Sequence, residues 1–180
     1  LEEENDYFNN FMTPLAKEKD MIFEELKGRV KLADQSTYTQ KDNYYYYWRT
    51  EEDKDYIIYC RKRDSIENPE EILLDVNKLA EGKKFTTIGA FAISPDHKLM
   101  AYSADFTGGE KYTITIFDLV NKKFLLDQIP NTIGNVVWHE NGEGFFYTPL
   151  DENWRHDKIM FHKLGTKSEE DKLIYHEKDV

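Results

Sequence analysis

The spacing of apolar positions changes character once along the chain. Over the first thirty or so residues it has a helical period. Tyr7, Phe8, Phe11 and Met12 recur at i, i+1, i+4 and i+5, and Ile22, Phe23, Leu26 and Val30 form a second stripe. Glu2, Glu3 and Glu4 suit the positive end of a helix macrodipole. Pro14 predicts a break or a fresh first turn, and Gly28 a loosened or capped end. From Tyr38 onward the period is that of strands. In NYYYYWRTEEDKDYIIYCRKR, residues 43–63, the aromatic run 44–48 and the run 56–60 flank a polar link, 49–55. Aromatic and β-branched residues suit a pleated, half-buried surface, so the stretch predicts a hairpin. A lone hairpin is marginal in water and needs something to pack against.

That something is supplied by repetition. ISPDHKLMAY, residues 93–102, lies on WHENGEGFFY, residues 138–147, with Ile93 on Trp138 and Tyr102 on Tyr147, 45 positions apart in both cases. Ile116 and Leu119 meet Phe161 and Leu164 at the same offset. Each unit reads as apolar strand, polar turn, aromatic strand, charged loop, apolar strand, loop and short strand. The second unit has strands at 89–94, 99–104, 112–119 and 124–127; the third has them at 135–139, 144–148, 158–164 and 172–176. The hairpin of 43–63 is the middle of a first unit whose last strand is 71–75. Four antiparallel strands in roughly 40–50 residues make one propeller blade. The expected fold is therefore mainly β: an N-terminal helical segment over 1–35, then a partial β-propeller over 36–180, with blades at about 36–82, 83–128 and 129–180. Blades stack on both faces, so the run 44–48 need not alternate. Its tyrosine hydroxyls are expected to reach a rim or a backbone partner.

Charge narrows the partners. The 180 residues carry 35 acidic against 24 basic side chains, a formal net charge of −11. Such a surface repels phosphate and anionic lipid, so no nucleic acid and no membrane is expected as partner. It suits a basic ligand, and it equally suits ordinary solubility. No apolar run approaches the roughly 20 residues that span a bilayer. The acidic start lacks the basic region that opens a secretory signal. A single cysteine, Cys60, permits no internal disulfide and fits a cytoplasmic location.

Candidate chemistry is sparse. His97, His139, His156, His162 and His176 lack HExxH or CxxC company and read as solvated turn and strand-edge residues, with His156 and His162 flanking a strand. Cys60 reads as a strand-packed thiol, since alternation sends Arg61 to the opposite face. Glu51, Glu52, Asp53 and Asp55, and likewise Glu169, Glu170 and Asp171, read as solvated loop tips rather than as a route for basic peptides. Gly108 and Gly109 read as a hairpin turn, because no strand-to-helix transition follows them. No catalytic, cofactor-binding or metal-ligating residue is assigned, and no cofactor is expected.

The same segments carry a resemblance. YYYYWRTEEDKDYIIYCRKR with PEEILLDVNKLAEG, residues 69–82, resembles the first propeller blade of the oligopeptidase B branch of the prolyl oligopeptidase family of serine peptidases. GAFAISPDHKLMAYSADFTGGEKYTITIFDL, residues 89–119, resembles its second blade. IPNTIGNVVWHENGEGFFYT, residues 129–148, resembles the third, and LEEENDYFNNFM, residues 1–12, the helical segment ahead of the propeller. The resemblance implies a seven-bladed propeller covering an α/β-hydrolase domain that holds a catalytic serine, aspartate and histidine. It implies cleavage of short peptides after arginine or lysine, with the propeller excluding folded proteins. These residues account for about three blades and contain no G-x-S-x-G elbow, so no catalytic residue carries over and the chain alone is expected to be inactive. The implied partners are the hydrolase domain of the same protein, short basic peptides as substrate of the whole enzyme, and further copies of the chain through uncovered blade faces. The alternative is a stand-alone β-repeat protein-binding module without catalysis.

Overall fold

The computed structural model describes residues 1–179. They form two compact units that divide between Glu70 and Glu71. In the first, helix α1 (Glu2–Met12) opens with Glu2, Glu3 and Glu4 in its first turn. A 3-10 turn, Thr13–Leu15, follows with Pro14 at its start, and α2 (Ala16–Gly28) completes the segment. Both apolar stripes stay in solvent: neither helix buries a single residue.

Three four-stranded antiparallel sheets follow. The first comprises β1 (Thr39–Lys41), β2 (Tyr44–Arg49), β3 (Ile58–Arg63) and β4 (Glu71–Asp75). The second comprises β5 (Thr87–Ile93), β6 (Leu99–Asp105), β7 (Tyr112–Asp118) and β8 (Lys123–Thr132). The third comprises β9 (Val137–Trp138), β10 (Gly144–Tyr147), β11 (Lys158–Lys163) and β12 (Lys172–His176). A one-turn helix, α3 (Val76–Leu79), lies between the first two; the Asp75 side chain caps it by accepting from the Asn77 amide at 3.0 Å.

The 45-residue step holds at the level of single facing residue pairs. Tyr102 faces Thr115 and Met100 faces Phe117; 45 positions on, Tyr147 faces Met160 and Phe145 faces His162. The turns repeat too, with Ser94 N donating to Leu99 O and His139 N to Gly144 O, both at 2.9 Å. In the first sheet Tyr47 faces Cys60. The residue two places before the second strand has positive φ in all three sheets: Asp42 (51°), His97 (60°) and Gly142 (73°). Tyr47, Tyr102 and Tyr147 thus share one position of the repeat, and all three are buried.

Strand boundaries depart from the sequence pattern at several places: the strand expected at 89–94 starts earlier, at Thr87, the one expected at 135–139 shrinks to Val137–Trp138, and two changes matter more. The hairpin's second strand begins at Ile58 rather than Tyr56 and runs on through Arg61, Lys62 and Arg63. Tyrosine rings make that possible by covering the charged stems: the Arg61 guanidinium lies 4.4 Å from the Tyr44 ring centre and the Lys62 ammonium 5.9 Å from that of Tyr38. Strand β8 extends to Thr132 instead of ending near Asp127. Its Asp127, Ile129 and Thr132 point inward, while Pro130, which has no N–H to give, stands exposed on an outer strand.

The main core joins the second and third sheets. Ala101, Ile114, Ile116 and Ile129 of the former pack with Val136, Phe145 and Tyr147 of the latter. Polar ties cross the same boundary: Trp138 Nε1 donates to Ala92 O at 3.2 Å and Ser103 Oγ to Gly134 O at 2.6 Å. The first unit has a smaller core of its own, Tyr47, Ile58 and Cys60 against Tyr38.

Candidate functional site

The buried tyrosines lead to the polar clusters of the chain. In the first sheet the Tyr47 hydroxyl donates to Glu70, the residue just before β4. Arg49 grips the same carboxylate through Nε (3.0 Å) and Nη2 (3.0 Å) and also pairs with Glu51. In the third sheet the Tyr147 hydroxyl donates to Asp171 Oδ2 at 2.7 Å, and Asp171 is again the residue just before the outer strand, β12. Here the companion is His162. Its Nδ1 is 2.7 Å from Asp171 Oδ1 and its Nε2 is 3.1 Å from Asp127 Oδ1 on β8. Asp127 Oδ1 also accepts the Gly165 amide at 2.5 Å.

His162 is 1% exposed, and the side chains of Asp171 and Asp127 are 0% and 5% exposed. Charges taken this far from water persist only when paired. A histidine beside an aspartate invites comparison with a general base, but both ring nitrogens already face carboxylates, so neither is free to take a proton from a nucleophile. The cluster fastens the third sheet to the second through Asp127 and binds the segment ahead of β12 to β11.

Electrostatics agree with a holding role. Burial, reinforced by Asp171, pushes the Tyr147 hydroxyl far above its ordinary value. Burial and Glu70 do the same to Tyr47. Burial alone would raise Glu70, but the Arg49 guanidinium and the Tyr47 hydroxyl outweigh it and hold the carboxyl below its ordinary value. Cys60, 1% exposed, is pushed up to about 12 by burial and by Glu70; a thiol so fully protonated at neutral pH is no nucleophile.

The other candidates are dispersed. His139 Nδ1 meets Asn141 Oδ1 at 2.7 Å within its own turn, His176 Nε2 meets Asp157 Oδ2 at 2.8 Å, and His156 is exposed. His97 is buried in its turn rather than solvated. His162 is likewise no strand-edge residue: β11 is interior to its sheet and the imidazole points into the core. Asp171 is no loop tip, since Tyr147 and His162 draw its carboxylate inward, whereas Glu169 and Glu170 are exposed. Glu51 is tied to Arg49, while Glu52, Asp53 and Asp55 are solvated. Gly108 and Gly109 lie in the β6–β7 turn, Gly108 with a φ of 76° that glycine adopts freely. Sequence reasoning missed the role of His162, although one signal was present. The 45-residue step lays it on Phe117, and a polar residue at an apolar position of a repeat asks for a buried partner.

Compared with known proteins, residues 1–180 match the family described as "Prolyl oligopeptidase, N-terminal beta-propeller domain". The chain belongs to the prolyl oligopeptidase family. Among curated members it is 35% identical to Protease 2 of Moraxella lacunata and 33% identical to dipeptidyl aminopeptidase BI of Pseudoxanthomonas mexicana, each over 99% of this chain and 27% of the relative. Among solved structures of the family, oligopeptidase B from Leishmania major superposes with a TM-score of 0.91 at 32% identity, over 99% of this chain and 26% of that one. Oligopeptidase B from Trypanosoma brucei, in a closed form with covalently bound antipain, gives 0.87 at 33% identity, over 98% and 25%. The chain spans about a quarter of the length of these prolyl oligopeptidase relatives. Its three sheets correspond to the propeller portion of oligopeptidase B.

Proposed function

We propose that this chain is the opening part of the propeller of a cytoplasmic serine oligopeptidase that cleaves short peptides after arginine or lysine. Its task is to dock on an α/β-hydrolase domain of the same protein and to restrict entry by size. The observation that carries this reading is the superposition of 99% of the chain on oligopeptidase B from Leishmania major at a TM-score of 0.91. The docking part has further support in the helical segment. Tyr7, Phe8, Phe11, Ile22, Phe23 and Leu26 are each more than half exposed, apolar surface of the kind that another domain covers. Catalysis would be acyl transfer through an activated serine outside these residues, and the chain contributes selection rather than bond-breaking.

The test is to express the full-length protein and assay fluorogenic peptides ending in arginine, lysine or proline, beside a folded protein substrate. Cleavage after arginine and lysine that spares the folded protein supports the proposal. Cleavage confined to proline sites, or none in a folded preparation, overturns it.

A further inference from the structure

A cavity of about 370 Å³ opens between the β6–β7 and β10–β11 loops, lined by Glu110, Tyr112, Ile133, Leu150, Trp154 and His156. Its walls mix aromatic faces with one carboxylate. Both loops are folded around a buried or half-buried aspartate. Asp105, 1% exposed, accepts from the amides of Thr107 (2.7 Å) and Glu110 (2.8 Å) and from the Thr107 hydroxyl (2.7 Å). Asp151 accepts from the amides of Asn153 and Arg155, both at 2.8 Å, and its carbonyl accepts from Trp154 N at 3.1 Å. Glu110 and Trp154 are thereby held at positive φ, 55° and 64°. Such conformations are uncommon in ordinary residues and recur at binding sites.

The cavity wall already holds a cation. The Lys111 ammonium sits 4.5 Å from the centre of the Trp154 ring. Among the described residues no ion pair is made to Glu110. Two carboxylates lie near Tyr112: burial first, and after it Asp105 and Glu110, push its hydroxyl upward.

We infer that this cavity is a binding site for a basic side chain of a peptide, an arginine guanidinium or lysine ammonium, which displaces Lys111 from the face of Trp154 and pairs with Glu110. The choice of a peptide as bearer of that cation rests on the function proposed above; the site's preference for a cation rests on the geometry alone. Lys111 is the internal competitor that an incoming side chain replaces.

The experiment uses the full-length protein labelled with 5-fluorotryptophan, with the Trp154 resonance assigned by Trp154→Phe. The probe is n-butylguanidinium, with n-butanol as its neutral counterpart. The Trp154 signal should titrate with the cation and not with the alcohol. Glu110→Gln should weaken the cation about threefold, the scale of one exposed ion pair. Lys111→Gln should strengthen it about threefold, the scale of one exposed cation–π contact. Lys178→Gln, which changes the net charge equally, should leave it unmoved. A Trp154 signal that ignores the cation, or answers both probes alike, overturns the inference, as does a Lys111→Gln variant no tighter than Lys178→Gln. Because no turnover is involved, the site can stand where the peptidase proposal fails, and the reverse.

Discussion

In the first sheet the buried hydroxyl of Tyr47 meets a carboxylate held by an arginine; in the third, Tyr147 meets one held by a histidine. The tyrosines occupy the same place in the repeat and the carboxylates the same place before the outer strand. What differs is water. The Arg49 and Glu70 side chains are 23% and 26% exposed, while those of His162 and Asp171 are 1% and 0% exposed. A pair that water still reaches is partly screened and contributes modestly on balance. A buried cluster behaves asymmetrically: present, it roughly offsets its own desolvation, but with one member removed it leaves uncompensated charge in the core. The second sheet shows the position without any such ion, where Tyr102 faces Thr115. The repeat thus requires the tyrosine, and each sheet provides its own polar companion.

The sharpest way to break this contrast is to remove the side chains that hold the two carboxylates. His162→Ala should lower unfolding stability by about 3–5 kcal/mol, measured by urea denaturation, and Arg49→Ala by about 1 kcal/mol or less. Equal losses would mean that burial does not separate the two clusters. Next come the hydroxyls. Tyr147→Phe should cost about 1–2 kcal/mol because it takes a donor from a fully buried carboxylate, and Tyr47→Phe less, since water reaches Glu70. The smallest effect is in pH. Glu70 has a folded value below its ordinary 4.5, so its contribution is complete above that value and is lost as pH falls through the folded one. Glu70→Gln should therefore flatten the acid limb of the stability curve, and an unchanged limb would remove Glu70 from the account.

Much of the fold was legible in the sequence because strand periodicity is local and the 45-residue step is a ruler. Tyr102 on Tyr147 and Leu119 on Leu164 mark out both central hairpins. The misses were of a different kind. Arg61 and Lys62 sit in β3 with the rings of Tyr44 and Tyr38 beside their charged ends, and Asp127 lies mid-strand because its partner is 35 positions on. Asp171 and the Glu110–Trp154 cavity leave no mark in the sequence, and His162 only its place opposite an apolar position of the repeat, for the same reason: their meaning comes from groups on other strands and loops. A pattern within a strand reports which face is apolar. It does not report which polar side chain has been drawn inward by a partner.

The core shared by the second and third sheets has a consequence for synthesis on the ribosome. Ala101, Ile114 and Ile116 gain the rest of their cover when Val136, Phe145 and Tyr147 have emerged, so the second sheet waits, half dressed, for the third. The unit that becomes stable during translation is then the contact between neighbouring sheets, and a pause or truncation soon after Thr132 would leave a sticky nascent chain for chaperones to shield.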